Sequence, residues 1–309
     1  MQHSLAATHQ SFDRSLAPAL TIDDGDTVDF DCPSIFDWGP GASVEDLKNL
    51  DLAHPHIITG PVLIRGARPG DALAVDILDV QVTTPQGVVA FMPGFGLLAD
   101  DFDEFHVHVV RYDDGFGEIT DGVRVPLEPF LGIMGVAPAE PGEHSTIPPR
   151  AVGGNLDNRH LRPGTRLILP VAVPGALFSC GDGHAAQGDG EVCGTAIETS
   201  VSAKLRFSII PCGAVTTPQA RVSAPIERPV DRGHVVTTGV GNDLYEGARH
   251  AVRSMIELLV SEHGLTRQEA YVLASCAVDL RVSEIVNAPN WLVSAYLPLA
   301  VFTSEEASA

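Results

Sequence analysis

The chain has 309 residues, 44% of them hydrophobic, and a net charge of −21. That length buries a sizeable core and suits one large domain or two medium ones. The acid excess excludes nucleic acid and anionic membranes as partners, because both are held by clustered basic side chains, and the 19 Lys and Arg here are dispersed.

Cys32, Cys180, Cys193, Cys212 and Cys276 are scattered and form no CxxC pair. This suits free thiols in a reducing compartment, and a cytoplasmic location is expected. The N-terminal MQHSLAATHQSFDRSL lacks a basic region followed by an apolar core, so it does not read as a signal peptide. The longest apolar run, Leu167 to Phe178, is broken by Pro170 and Pro174. It falls short of the roughly 20 residues that a membrane span requires.

In chain order, residues 1–20 are polar and read as a first strand or arm. Thr27 to Asp31 alternates as a half-buried strand does. Ser43 followed by Asp46 predicts a single capped helical turn. Thr59-Gly60-Pro61 reads as a turn before the strand Val62-Leu63-Ile64. Arg68-Pro69-Gly70-Asp71 is a tight turn before the alternating Leu73, Val75 and Ile77. The same grammar returns at Arg162-Pro163-Gly164-Thr165 before Arg166 to Leu169, as if two similar sheet units were present.

His106 and His108 are two apart in a predicted strand and share a face. They imitate the metal pair of barrel amidohydrolases, but the chain lacks the regular strand–helix alternation of a barrel. From Pro211 to about Asp231 the chain is turn-rich. Asp243 to Glu262 has apolar residues at helical spacing, an Asp243/Glu246 cap signal and Gly264 as a stop. Thr266 and Glu269 predict a second capped helix. Asp279 to Val286 and Val293 to Leu297 read as strands.

The expected architecture is α+β and mainly β, with a jelly-roll or β-sandwich core, an added α/β part and a C-terminal helical hairpin. Three portions are expected. Residues 1–150 form an N-terminal β-sandwich part and residues 151–230 a central β part carrying the site. Residues 231–309 hold the helical hairpin and closing strands, packed on the same unit.

Chemistry concentrates in Gly181–Glu198, GDGHAAQGDGEVCGTAIE. Asp182, His184, Asp189, Glu191, Cys193 and Glu198 interleave there with glycines that let backbone approach a ligand closely. Oxygen, nitrogen and sulfur donors at short spacing are what a metal or acid/base site requires. The cluster is framed by the apolar runs Leu167 to Val173 and Ser202 to Ile210.

GDGHAAQGDGEVCGTAIE, with VPGALFSCGD before it and VGGNLDN further upstream, resembles the acetamidase/formamidase family. So do HPHIITGPVLIRGARPGDAL, PGFGLLADDF, LGIMGVAPA, VTTGVGNDLYEGARHAV and NAPNWLVSAYLP. The resemblance runs from about residue 24 to 302. It implies a jelly-roll sandwich with an added α/β part. It also implies hydrolysis of formamide, acetamide or similar short amides to carboxylate and ammonia, a divalent metal (usually zinc) and a homo-oligomer.

Asp182 and His184 point to one side of an extended backbone, and Asp157 on a neighbouring segment completes a three-ligand metal set. The rival reading makes Asp182 and His184 caps of glycine-rich backbone. Glu191 and Cys193 again share a face by the period of two. Glu191 is the expected acid/base, with Cys193 lining the site, a thiol nucleophile or a buried apolar residue. Asp189 is a third catalytic candidate or a brace for the GDG turn, and Glu198 is expected behind the ligands. His54 and His56 read as a loop that can border the site. Two alternatives stand beside the amidase: a non-catalytic small-ligand module, and a hydrolase of another amide such as a lactam.

Overall fold

Apolar alternation in the first two-thirds of the chain builds two six-stranded sheets around a shared core. The computed structural model describes residues 1–213, 215–222 and 232–303. One sheet runs in the order Gln2–Leu5, Thr27–Cys32, Val201–Ile210, Ala72–Val82, Arg166–Pro170 and Gln219–Arg221. The other runs Gly153–Asn155, Phe130–Gly135, Phe178–His184, Ile58–Ile64 and Thr8–His9, with Leu20–Ile22 pairing in parallel with Ile58–Ile64. Inward residues of both sheets, among them Phe30, Val75, Met134, Leu169, Phe178 and Phe207, form one cluster. Phe30, Phe178 and Phe207 meet edge-on at 5.0–6.2 Å between ring centroids. That geometry adds about 0.5–1.5 kcal/mol per pair beyond area burial.

The two strands that follow the repeated Pro-Gly turns are partners. Arg166–Pro170 pairs antiparallel with Ala72–Val82, Arg166 opposite Asp76. The Arg166 guanidinium holds the Asp76 carboxyl below its usual range, against the opposing effect of burial.

A second core lies beside the first. A four-stranded antiparallel sheet, Val123–Pro126, Phe116–Thr120, His106–Asp113 and Gln86–Phe91, packs with two helices, α2 (Leu244–His263) and α3 (Arg267–Ala277). A third helix, α1 (Val44–Lys48), is the predicted single turn, closed by reciprocal Ser43 and Asp46 bonds. The Asp243 side chain accepts from the Glu246 backbone N–H at 2.8 Å to start α2. Gly264, at φ 67°, ends it in the left-handed geometry that glycine tolerates. Thr266 and Glu269 complete their predicted capping box on α3. The strands His234–Gly241, Trp291–Pro298 and Asp279–Glu284 make a small sheet against α2. The architecture is therefore α+β and mainly β. No helix among the described residues is long and apolar enough to cross a membrane.

Two local expectations change. Thr59-Gly60-Pro61 lies inside the strand Ile58–Ile64 and makes no turn. Proline has no N–H for a ladder, and the register shift between Phe178 and Cys180 on the partner strand accommodates it. The site-bearing segment is not merely framed by strands, because Phe178–His184 is a strand itself. The turn-rich stretch expected to reach Asp231 lies partly outside the described residues.

Candidate active site

The strand Phe178–His184 passes from one core to the other. Cys180 belongs to the sandwich core, while Ala185 and Ala186 belong to the helical one. Where it crosses, it presents Asp182 and His184. The chain then makes a turn-rich loop and returns, so that Glu198 pairs with His184 across an isolated antiparallel bridge. The Glu198 backbone also exchanges both hydrogen bonds with Val88 at 2.8 and 2.9 Å. Asp157 arrives from the segment after Gly153–Asn155, its N–H donating to the Gly132 carbonyl at 3.2 Å.

These elements bring four carboxyls to one imidazole. His184 Nε2 lies 3.5 Å from Asp182 Oδ2, 3.4 Å from Glu198 Oε1 and 3.9 Å from Glu191 Oε1. The donor atoms of Asp182, His184 and Glu198 all lie within 4.8 Å of one another, as do those of Asp157, His184 and Glu191. His184 is common to both sets; Asp157 and Asp182 fall in different ones. His56 Nε2 approaches Asp182 Oδ2 at 3.9 Å from the far wall.

The imidazole is oriented by Gln187. Its Nε2 donates to the Asp157 carbonyl oxygen at 2.7 Å, so its Oε1 accepts from His184 Nδ1 at 2.8 Å. That directs His184 Nε2 at the carboxyls, the arrangement by which an outer partner aims a metal-ligating imidazole. Asp157 Oδ1 is buried without a hydrogen-bond partner.

Charge crowding shows in the ionisation. Burial pushes Asp157 up to about 7. Burial, then the Asp157 charge, pushes Glu191 well above the carboxylate range. Burial opposes ionisation of Asp182, but His56 and His184 outweigh it and hold that carboxyl low. Burial would discharge His184, yet Glu198 and Asp182 raise it well above its usual value.

Three of these acids are held in the left-handed backbone region that disfavours side chains: Asp157 at φ 42°, Asp182 at 59° and Glu191 at 45°. Such strain persists only where surroundings impose it, and it clusters at functional sites. For Glu191 the surroundings are α3. Tyr271 Oη donates to the Val192 carbonyl at 2.5 Å, and Ser275 Oγ accepts from Cys193 N–H at 3.1 Å and donates to Thr195 O at 2.6 Å. Tyr271 and Ser275 are four apart on one helix and so meet the same loop.

The acids form the floor of a cavity of about 470 Å³. Its walls include Phe36, Leu52, His56, Met92, Phe95, Ile147 and Leu156.

Of the residues singled out in the sequence, Asp157, Asp182, His184 and Glu191 meet here, joined by Glu198 and His56. Cys193 does not line the cavity. Its Sγ points into the core toward the carbonyls of Thr195 (3.5 Å) and Ala90 (3.8 Å). It shares no face with Glu191, because residues 185–197 are turn and loop and the period of two holds only in strands. Asp189 also lies outside the cavity lining. It accepts from Arg159 Nε at 3.1 Å, and Arg159 Nη2 donates to buried Asp279 at 2.9 Å, tying the loop to the small sheet. His106 stacks on Phe91 and His108 donates to the Ile119 carbonyl at 2.6 Å, both away from the acids.

Burial pushes the Cys193 thiol up to about 11, while Cys212 is exposed. Iodoacetamide on the native protein is therefore expected to modify Cys212 and spare Cys193, which intact-protein and peptide mass spectrometry will read. Cys193→Ser should retain turnover within a few-fold; its loss would point to the thiol.

Along most of its length the chain is similar to known proteins. The model of the acetamidase/formamidase family matches residues 1–143 and 141–304. The chain belongs to this family. It is 27% identical to a formamidase of Methylophilus methylotrophus, over 95% of this chain and 89% of that one. The solved structure of an acetamidase from Bacillus halodurans is 31% identical, with TM-score 0.68 over 96% of this chain and 97% of that one. A gamma lactamase from Delftia acidovorans, 24% identical, shares the fold at TM-score 0.89 over 97% of this chain and 90% of that one. As a member of the acetamidase/formamidase family, the protein is an amide hydrolase acting on carbon–nitrogen bonds other than peptide bonds.

One group at the site, Gln187, escaped sequence reasoning. His56 and Glu198 were noted but assigned to a loop and to a supporting position. Gln187 was passed over inside the motif. The signal for Gln187 was its spacing of three from His184 in a buried, glycine-rich turn. Nothing local signals the return of Glu198, which depends on the bridge to His184.

Proposed function

We propose that the protein hydrolyses short carboxamides to carboxylate and ammonia at the floor of this cavity, with a divalent cation held by Asp182, His184 and Glu198. The observation that carries this reading is the convergence of four carboxyls on one imidazole below an apolar cavity. Buried like charges are costly without a counter-charge. One nitrogen and two carboxylate oxygens make a donor set that suits zinc and leaves a position open for catalysis. The unpaired Asp157 Oδ1 and the hollow over Gly132, where a Cβ would sit 2.7–2.8 Å from Asp157 Oδ1, Asp182 Oδ2 and His184 Cε1, also fit a small ion. Bound there, the cation supplies Lewis acidity that lowers the pKa of water and polarises the amide carbonyl.

The chain's own residues supply the remainder. Burial and the Asp157 charge keep Glu191 protonated until a neighbouring cation's charge offsets them, and its carboxylate then takes a proton from the water whose oxygen bonds to the carbonyl carbon. It returns that proton to the amide nitrogen as the carbon–nitrogen bond breaks and ammonia leaves. Asp157 lies beside it and stabilises its protonated form. Gln187 keeps His184 in one orientation throughout. Apolar walls limit bulk water around the reacting groups.

Ammonia release over an amide panel, with elemental analysis before and after chelation, tests the reading. Close to one metal per chain is expected, with chelation lowering both turnover and melting temperature and zinc restoring both. Full turnover and an unchanged melting temperature after complete chelation would remove the cation. Absence of ammonia from every amide would remove the substrate class.

A further inference from the structure

The cavity is far larger than the smallest amides. Acetamide occupies on the order of 100 Å³, against about 470 Å³ here. Pockets of this size hold molecules with substantial apolar bodies. The polarity is also divided. The acids gather at the floor, and the walls above carry His56, Phe36, Met92 and Leu156. Toward the mouth stand Leu52, Phe95 and Ile147, which are 55%, 46% and 42% exposed. Of the eleven large hydrophobic side chains exposed among the described residues, these three share the lining of one cavity. An exposed apolar patch over a concave site marks a surface that a ligand covers.

Phe95 is held in this position. It packs on Gly194, where an added Cβ would sit 2.4 Å from the ring. Gly194 follows Glu191 in the loop clamped by α3, so the apolar wall and the proposed acid/base residue are parts of one rigid unit. Asn155 is the polar side chain beside the mouth, its Nδ2 donating to the Ile147 carbonyl at 3.1 Å, and the carboxyls lie where the amide itself must sit.

We propose that the preferred substrates are amides with an apolar acyl group of about five to eight carbons, seated against Leu52, Phe95 and Ile147 with the amide on the acidic floor. This rests on the placement of amide hydrolysis in the same cavity. Each methylene taken from water onto these walls raises kcat/KM roughly fourfold until the cavity is filled. Formamide and acetamide leave the walls wet and gain nothing from them.

The test is a series of primary amides from formamide through acetamide, butyramide and hexanamide to octanamide. It is assayed for ammonia with the wild-type protein and with Leu52→Asn and Ile147→Asn. Both substitutions lie at exposed positions, so the fold tolerates them. In the wild type, kcat/KM is expected to rise at least tenfold from acetamide to hexanamide. In each variant the hexanamide-to-acetamide ratio should fall several-fold, chiefly through KM. A flat series, or one that peaks at formamide or acetamide, overturns the acyl preference and leaves the hydrolytic site standing. A rising series that neither variant alters also overturns it, because another surface is then responsible. Absence of ammonia from every amide overturns both this preference and the site beneath it.

Discussion

Replacing Glu191 by Gln is expected to lower kcat for amide hydrolysis by about 10²–10⁴-fold, with fold and bound metal unchanged. The side chain borders the cavity with its Oε1 3.9 Å from His184 Nε2. Its loop is anchored by Tyr271 and Ser275 on α3, which the substitution does not touch. Gln keeps the size and the backbone position but cannot accept the proton from water. KM should change little, because the lost interaction belongs to the proton transfer and not to binding of the acyl group. Steady-state ammonia release, metal content and the melting curve together read this outcome. A Glu191→Gln protein with kcat within tenfold of wild type would move the proton transfer to another group, Asp157 first.

Gly132→Ala should be nearly as damaging, although Gly132 carries no chemistry. Its strand, Phe130–Gly135, lies beside the site strand, with Leu131 opposite Gly183 and Ile133 opposite Gly181. An added methyl would sit 2.7 Å from Asp157 Oδ1 and 2.8 Å from both Asp182 Oδ2 and His184 Cε1. The backbone there is not left-handed, so alanine meets no dihedral penalty, and the cost is one of space alone. The same residue's carbonyl accepts from Leu156 and Asp157 N–H at 2.9 and 3.2 Å, so a shift propagates to Asp157. Displacements of about 1 Å at a reacting centre cost about 10²-fold in rate. Turnover is expected to fall by at least that factor. Metal retention should weaken and the far-ultraviolet circular dichroism should stay native. A variant that keeps wild-type turnover and metal content would show that nothing small is held in that hollow.

Much of this was legible in one dimension. Apolar alternation with Pro-Gly turns identified the strands Ala72–Val82 and Arg166–Pro170, and 3.6-residue spacing with capping chemistry identified α2 and α3, because these signals are local. Asp157, Asp182, His184 and Glu191 were each visible as donors in glycine-rich segments. The assignment of Glu191 and Cys193 to one face failed for a local reason too. It assumed extended backbone, and Glu191, Gly190 and Gly194 all have positive φ.

The sequence by itself determined the class of fold, the acid-rich character of the chain and the segment where the donor side chains concentrate, because propensity, periodicity and composition act over a few residues. Only the tertiary structure decided which donors meet. His56 reaches Asp182 from a far loop, and Glu198 reaches His184 through a strand bridge. Cys193 and Asp189 are turned away, one into the core and one toward Arg159. Gly181–Glu198 supplies donors, but their distances follow from the junction of two cores, and the packing that creates that junction is a property of the whole chain.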